Sequence, residues 1–329
     1  MAIDMRHHPP SETACAGLAS LKTIAGAGGP ISERARSFMR ALRDHLLRVD
    51  VNLDSLEPID AQELARVVPE PEWRERILRG MTLISLLDGP PTPERLAILE
   101  QTAAALEIDE APVRAFRELV EKRVRMVQID IARRGFVRDA AKAYVKGEGA
   151  RGIFEIAEGV LGREDAKLAE RYHRLDSFPK GTFGRTYADF ISLNGFSYPG
   201  ERGGPPPPVM RHDCCHVLGG YGTTPEEECA VLSFQAGFEK ADPFFVMLFG
   251  IAQFEIGIGA SPFLPGMTGK ADPERMFAAL EHGTQVEIDL IGDPAFDPWE
   301  EFDQPLADVR AKFGIPPRGR EPEYPQDLP

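Results

Sequence analysis

His212, Asp213, Cys214, Cys215 and His216 stand in a row, and Glu228 follows after eleven residues. These are side chains that bind first-row metals, set at spacings that could bring them to one ion. Two histidines four apart lie on one face of a helix, because a turn takes roughly 3.6 residues. Asp213 sits about 100° further round, within leaning distance of the same ion. Cys215, three residues after His212, can also face that ion and competes with Asp213 for the place. Plainer readings stand beside this one. A His-Asp pair can be a surface contact, a glutamate in a first turn complements the helix dipole, and small cysteines often fill cores.

For the set to converge, Glu228 has to return on a second helix. Gly219-Gly220-Tyr221-Gly222 is a turn signal. Thr224-Pro225-Glu226-Glu227 is a helix start, with a threonine cap, proline in the first position and glutamate three after the cap. The spacing thus predicts two antiparallel helices joined by a glycine hairpin. Together they would aim His212, Asp213, His216 and Glu228 at one zinc or other divalent first-row ion.

The rest of the chain reads as helical. Ser32 caps a helix, Asp60-Ala61-Gln62-Glu63 is a capping box, and Pro71 to Leu87 carries Trp73, Leu78, Met81 and Ile84 at helical spacing. Thr92-Pro93-Glu94 opens the next helix, and Asp272-Pro273 another that Gly283 closes. An all-α fold of two helical domains is therefore expected. Residues 1–31 form a disordered lead-in, 32–135 a first helical domain and 136–170 a helical connector. Residues 171–316 form a metal-binding domain, and 317–329 a proline-rich tail. The proline-rich stretch 198–208 has to be a surface loop.

Net charge is −14, from 38 basic and 52 acidic residues. That balance lacks the basic face that phosphate contacts require, so no nucleic-acid partner is expected. Four cysteines, two of them adjacent, make no disulfide framework and fit a reducing, cytoplasmic compartment. No run of eighteen uncharged apolar residues occurs. The nearest, 244–258, is interrupted by Gln253 and Glu255. It reads either as a buried core helix or as the wall of a lipid pocket.

The motif and its flanks resemble the coenzyme Q (ubiquinone) biosynthesis family, whose hallmark is H-D-x-x-H, eleven residues, then E. The metal ligands of that family fall on His212, Asp213, His216 and Glu228. The similarity continues upstream in Phe178-Pro179-Lys180-Gly181-Thr182-Phe183-Gly184-Arg185-Thr186-Tyr187-Ala188-Asp189-Phe190. Downstream it includes the apolar stretch 234–258 and the segment 277–315, with Trp299-Glu300-Glu301 before the last helix. Two features depart from the family. A shorter proline-rich loop and Val209-Met210-Arg211 replace a helix and an Arg-Glu pair before the motif, and Glu227 stands where a glycine is usual. The first domain is similar, more weakly, to tellurite-resistance TerB-like helical domains, through Leu87-Asp88-Gly89 and Glu94. Turn and dipole chemistry account for Asp88 and Glu94 without a ligand.

The resemblance implies a step in ubiquinone-like lipid biosynthesis: metal-dependent loss of a ring carboxylate coupled to oxygenation of a polyprenylated benzoate-type ring, with His212 and Asp213 catalytic, or else organisation of the biosynthetic complex. The alternatives are a non-catalytic prenyl-lipid-binding or scaffold protein, and a metal-dependent hydrolase of the His-Asp type. The partners implied are a polyprenylated quinone precursor or other isoprenoid lipid, other quinone-biosynthesis proteins and a second copy of the chain. The expected place is cytoplasmic, peripheral to the inner face of a membrane. Phe244, Phe245, Leu248, Phe249 and Phe254 would line an isoprenoid tail, or simply pack a helical core. Arg185 reads as a carboxylate grip or a surface ion pair, His173 as structural, and His282 as a cation at a helix C-terminus.

Overall fold

The computed structural model describes residues 7–108, 111–128, 136–240, 242–259 and 265–318. Among them the chain is helical with no β-strand, and only the isolated bridges Thr182–Pro305 and Ile256–Thr268 occur. No helix among the described residues is long and apolar enough to cross a membrane. The fold is all-α.

The described residues fall into two compact units, one drawn from 134–246 with 282–329, the other from 4–133 with 247–281. The units do not follow chain order. The metal-binding domain expected to run unbroken over 171–316 is interrupted, since 247–281 belongs with the N-terminal helices. The first-domain end expected near 135 and most of the 317–329 tail lie outside the described residues.

In the N-terminal unit the cap signals act as their chemistry dictates. Ser32 Oγ accepts from the Ala35 amide, and Asp60 accepts from the Gln62 and Glu63 amides. Thr92 accepts from the Arg95 amide just before Pro93. Asp88 accepts from both Arg95 and Ser32, so the turn after Leu87 is held by side chains of the fold itself.

One expectation for this unit is overturned. The lead-in is no disordered segment: Ser11–Ala25 is a helix with Leu18, Leu21 and Ile24 buried. Its small residues, which look like a missing apolar signal, let it approach Pro71–Leu87 closely, with Gly17 lying against Ile77. Lys22 lies on this helix, and its ammonium donates to the carbonyls of Leu53 and Leu56 at 2.8 and 2.6 Å.

The second unit carries the motif. Residues expected to connect the domains form the helices Phe136–Glu148, Ala150–Val160 and Ala166–His173, and they lie within this unit. Tyr172, Tyr187, Trp299 and Phe302 make an aromatic cluster beside Phe183–Leu193, with Tyr172 and Trp299 centroids 4.9 Å apart and edge-on. Pro225–Phe238 is held close to the C-terminal end of Pro273–Thr284. A Cβ added at Gly283 would lie 2.0 Å from the Phe234 carbonyl oxygen, so only glycine fits there.

Candidate metal centre

The His212 helix, Met210–Gly219, is fixed at its start by the residue preceding the first histidine. Arg211 is buried, and its guanidinium donates to the carbonyls of Leu290, Ile291 and Asp293 at 3.1–3.2 Å and of Phe296 at 2.6 Å. Four carbonyl dipoles thus stand in for the water a buried cation loses. The helix stops at Gly220, whose φ of 73° needs no Cβ, and Tyr221 N–H closes onto the His216 carbonyl.

The hairpin is then stapled. Thr224 Oγ1 accepts from the Glu227 amide and caps Pro225–Phe238. Glu227 accepts from the Gly222 amide and from Arg318, and Arg318 also donates to the Gly220 carbonyl and covers the Tyr221 ring. Glu227 therefore holds the loop. Glu228, in the first turn of Pro225–Phe238, faces back to the histidines.

The three donors meet. His212 Nε2 lies 3.2 Å from His216 Nε2. Glu228 reaches His212 with Oε2 at 3.4 Å and His216 with Oε1 at 3.6 Å. A tetrahedron with metal bonds of about 2.0–2.1 Å has edges of about 3.3 Å. Among the described residues these three could hold one divalent ion, each offering one ligand atom, with these atoms all within 4.8 Å of one another.

His216 is oriented for it. Its Nδ1 lies 3.0 Å from the Gly222 carbonyl and 3.3 Å from that of Tyr221, and carbonyls only accept. Nδ1 therefore carries a proton and donates, which leaves the Nε2 lone pair toward the other ligands. Phe190 stacks on the same ring, with centroids 5.2 Å apart at 27°.

His212 has its own orienting partner in Gln235, whose Nε2 lies 2.8 Å from His212 Nδ1. The Oε1 of that amide is buried without a partner. Half a turn about the terminal bond offers Oε1 to Nδ1–H instead, and frees His212 Nε2 for a cation. Replacing Gln235 with leucine is expected to lower zinc affinity roughly 10–100-fold while the fold persists. Chelator competition measures the affinity, and near-UV circular dichroism checks the packing.

The electrostatics fit a site that receives positive charge. Burial alone would raise the Glu228 carboxyl, but the neighbouring His216 charge and hydrogen bonds from both imidazoles outweigh it and hold the pKa at about 2. Burial would lower His216, and Glu228 outweighs that in turn, so its pKa is raised. The carboxylate is thus ionised across the whole neutral range, ready for a cation.

Neither Asp213 nor its rival Cys215 is among the three donors. The Asp213 carboxylate is nonetheless close enough to interact with His212, His216 and Glu228. Burial, against the lowering influence of His212 and His216, pushes its pKa up to about 6. Cys215 is fully buried, its thiol donates to the Arg211 carbonyl at 3.2 Å, and burial pushes its pKa up, so it offers no thiolate.

The outlying candidates settle in the fold. Arg185 pairs with Asp189 at 2.8 Å and also donates to the Asp176 carbonyl. His173 is exposed and bonds Glu201. His282 is no cation: burial lowers its pKa, and the ring sits between the Tyr221 hydroxyl at 2.9 Å and the Pro316 carbonyl at 2.8 Å. Phe244 and Phe245 are buried in the unit that holds the motif, and Leu248 and Phe254 are buried in the other. Arg211, Gln235 and Arg318 are the supports that sequence reading missed. Only Gln235 left a trace, seven residues after Glu228 and so on the same helix face.

No family model, curated protein or solved structure matches this chain.

Proposed function

We propose that the chain is a metal-dependent protein of ubiquinone-like lipid biosynthesis, acting on a polyprenylated benzoate-type ring. The observation that carries this reading is the three-donor group of His212, His216 and Glu228, at the spacing of the H-D-x-x-H…E motif. Zinc is the ion we assign, since two imidazoles and one carboxylate suit it. Bound there, it would supply a Lewis acid for a ring carboxylate or phenolate oxygen. His212, His216 and Glu228 hold it. Gln235 and the Gly222 carbonyl orient the imidazoles.

The reaction we assign replaces the ring carboxylate with a hydroxyl: CO2 leaves, water supplies the hydroxyl oxygen, and dioxygen takes up the two electrons and two protons to become hydrogen peroxide. Two buried hydroxyls, of Tyr172 and Tyr187, have no hydrogen-bond partner, and the charge of Asp213 acts on both. A buried unpaired hydroxyl costs about 1–3 kcal/mol, which a polar substrate group would recover. On this reading Asp213 and the tyrosines serve the substrate, and the three-donor group serves the ion. The group holds no third histidine and no aspartate, so the His-Asp hydrolase reading finds no support in it.

The test is lipid extraction and mass spectrometry from the native host carrying His212→Ala. The expected result is accumulation of the carboxylated prenyl precursor and loss of quinone, with the variant still folded. Unchanged quinone pools would refute the assignment. Loss of quinone that tracks only the protein's abundance would favour a scaffold.

A further inference from the structure

The C-terminal segment lies against the glycine hairpin. Phe313 and Ile315 are buried and anchor it, and the Glu287 amide donates to the Phe313 carbonyl at 3.1 Å. Arg310, in the last turn of Leu306–Lys312, donates to the carbonyls of Val217 and Leu218 at 3.1 and 2.9 Å. It thereby satisfies acceptors at the end of the His212 helix. Beyond Ile315 full burial stops: Pro316 and Arg318 are half-buried and Pro317 is exposed. From there the segment is held by polar contacts with the hairpin.

Two arms make those contacts. In the first, Arg318 grips Glu227 with both terminal guanidinium nitrogens, at 2.6 and 3.1 Å, and donates to the Gly220 carbonyl at 3.1 Å. Its guanidinium carbon stands 4.3 Å from the centroid of the Tyr221 ring. In the second arm the Pro316 carbonyl can only accept, so His282 Nε2 carries the proton of that 2.8 Å bond. Burial lowers the His282 pKa, so the ring is neutral and its Nδ1 accepts from the Tyr221 hydroxyl at 2.9 Å. Both arms therefore converge on Tyr221. Its carbonyl and that of Gly222 are the acceptors facing His216 Nδ1, at 3.3 and 3.0 Å. Glu227, which takes the first arm, directly precedes Glu228.

We infer that residues 316–318 form a latch that governs how fast the metal centre releases its ion, with Arg318 as the positioning residue. The inference rests on the metal reading of His212, His216 and Glu228. Release of a bound ion needs a donor to swing aside, and local opening supplies that at less cost than global unfolding. Two of the three donors depend on this hairpin: its carbonyls orient the His216 ring, and its exit carries Glu228. Withdrawing Arg318 removes the bonds to Glu227 and Gly220 and the cover on Tyr221 together, while Phe313 and Ile315 stay packed. The latch thus opens without unfolding the core. Arg318 acts through the hairpin and not as a donor to the ion, since a guanidinium offers no acceptor lone pair.

The test is zinc release from the purified full chain, followed by stopped flow with a chromophoric chelator in excess. Arg318→Ala is expected to raise the release rate roughly 10–100-fold, the range lost with partners that orient a ligand. Arg318→Lys keeps the charge but not the planar fork, and should fall between wild type and Arg318→Ala. Hydrogen exchange of the metal-free chain gives a readout that needs no ion. The Tyr221 and Gly222 amides should exchange faster in Arg318→Ala, while the amides of Phe183–Leu193 keep their rate. Wild type that holds zinc while Arg318→Ala releases it no faster would overturn the latch alone. So would exchange that quickens throughout the unit with a fallen melting temperature, the mark of a general loss of stability. Wild type that takes up no zinc would overturn the metal reading, and the latch with it.

Discussion

Replacing Glu228 with glutamine is expected to weaken zinc binding by the purified protein by roughly 10²–10³-fold. Loss of a residue that only orients a ligand typically costs 10–100-fold, and Glu228 is placed as a ligand itself. It is also the one anionic donor of the three, and the two imidazoles 3.2 Å apart would be left to share a dication without a counter-charge. A smaller effect runs the other way. Glu228 raises the His216 pKa, so its removal lets His216 lose its proton more readily and reduces proton competition for the metal. That gain does not offset a missing ligand. Asp213→Asn is the control, expected to change affinity less than about tenfold because its carboxylate stands outside the donor group. Competition with a chromophoric chelator at fixed pH reads both. Equal losses would mean that Asp213 swings in as a ligand, and unchanged affinity in Glu228→Gln would end the metal reading.

What could be read ahead of the structure was local. The histidine pair needs only helical spacing, and the return of Glu228 needs only a glycine turn and a Thr-Pro cap, all encoded within eighteen residues. Asp213 is not among the three donors, and one residue along a helix is a rotation of about 100°, so a sequence neighbour need not share the histidines' face. The supports are hidden for a topological reason. The partners of Arg211 are carbonyls 79 to 85 residues away, and backbone carbonyls leave no mark in composition. His282 misled because a helix end favours a cation only where water remains, and this ring is buried against Tyr221. The division of the chain into units was hidden likewise. Nothing local tells that 247–281 leaves its sequence neighbours for the N-terminal helices. The helix at Ser11–Ala25 escaped because alanine and glycine carry little hydrophobic signal, although their smallness is what allows the close packing against Pro71–Leu87.

Arg211→Met is expected to destabilise the protein by about 3–5 kcal/mol, the range found when one partner of a buried charged network is removed. Methionine fills much of the space, so the loss is chiefly polar. The guanidinium donates to four carbonyls of the 290–296 segment. Each buried acceptor left without a donor costs about 1–3 kcal/mol, less where water enters. The charge itself offsets part of this. Burial lowers the Arg211 pKa, and a cation in the first turn opposes the helix dipole, so removing it relieves some unfavourable energy. The carbonyl dipoles are the reason it is tolerated at all. Arg211→Lys tests the geometry, because an ammonium carries the charge but not the planar fork, and it is expected to recover only part of the stability. Urea unfolding of the metal-free chain, where no bound ion masks the loss, would show the midpoint fall with an unchanged slope. A loss under about 1 kcal/mol would mean that water satisfies the segment, and that the start of the His212 helix is held by something other than this arginine.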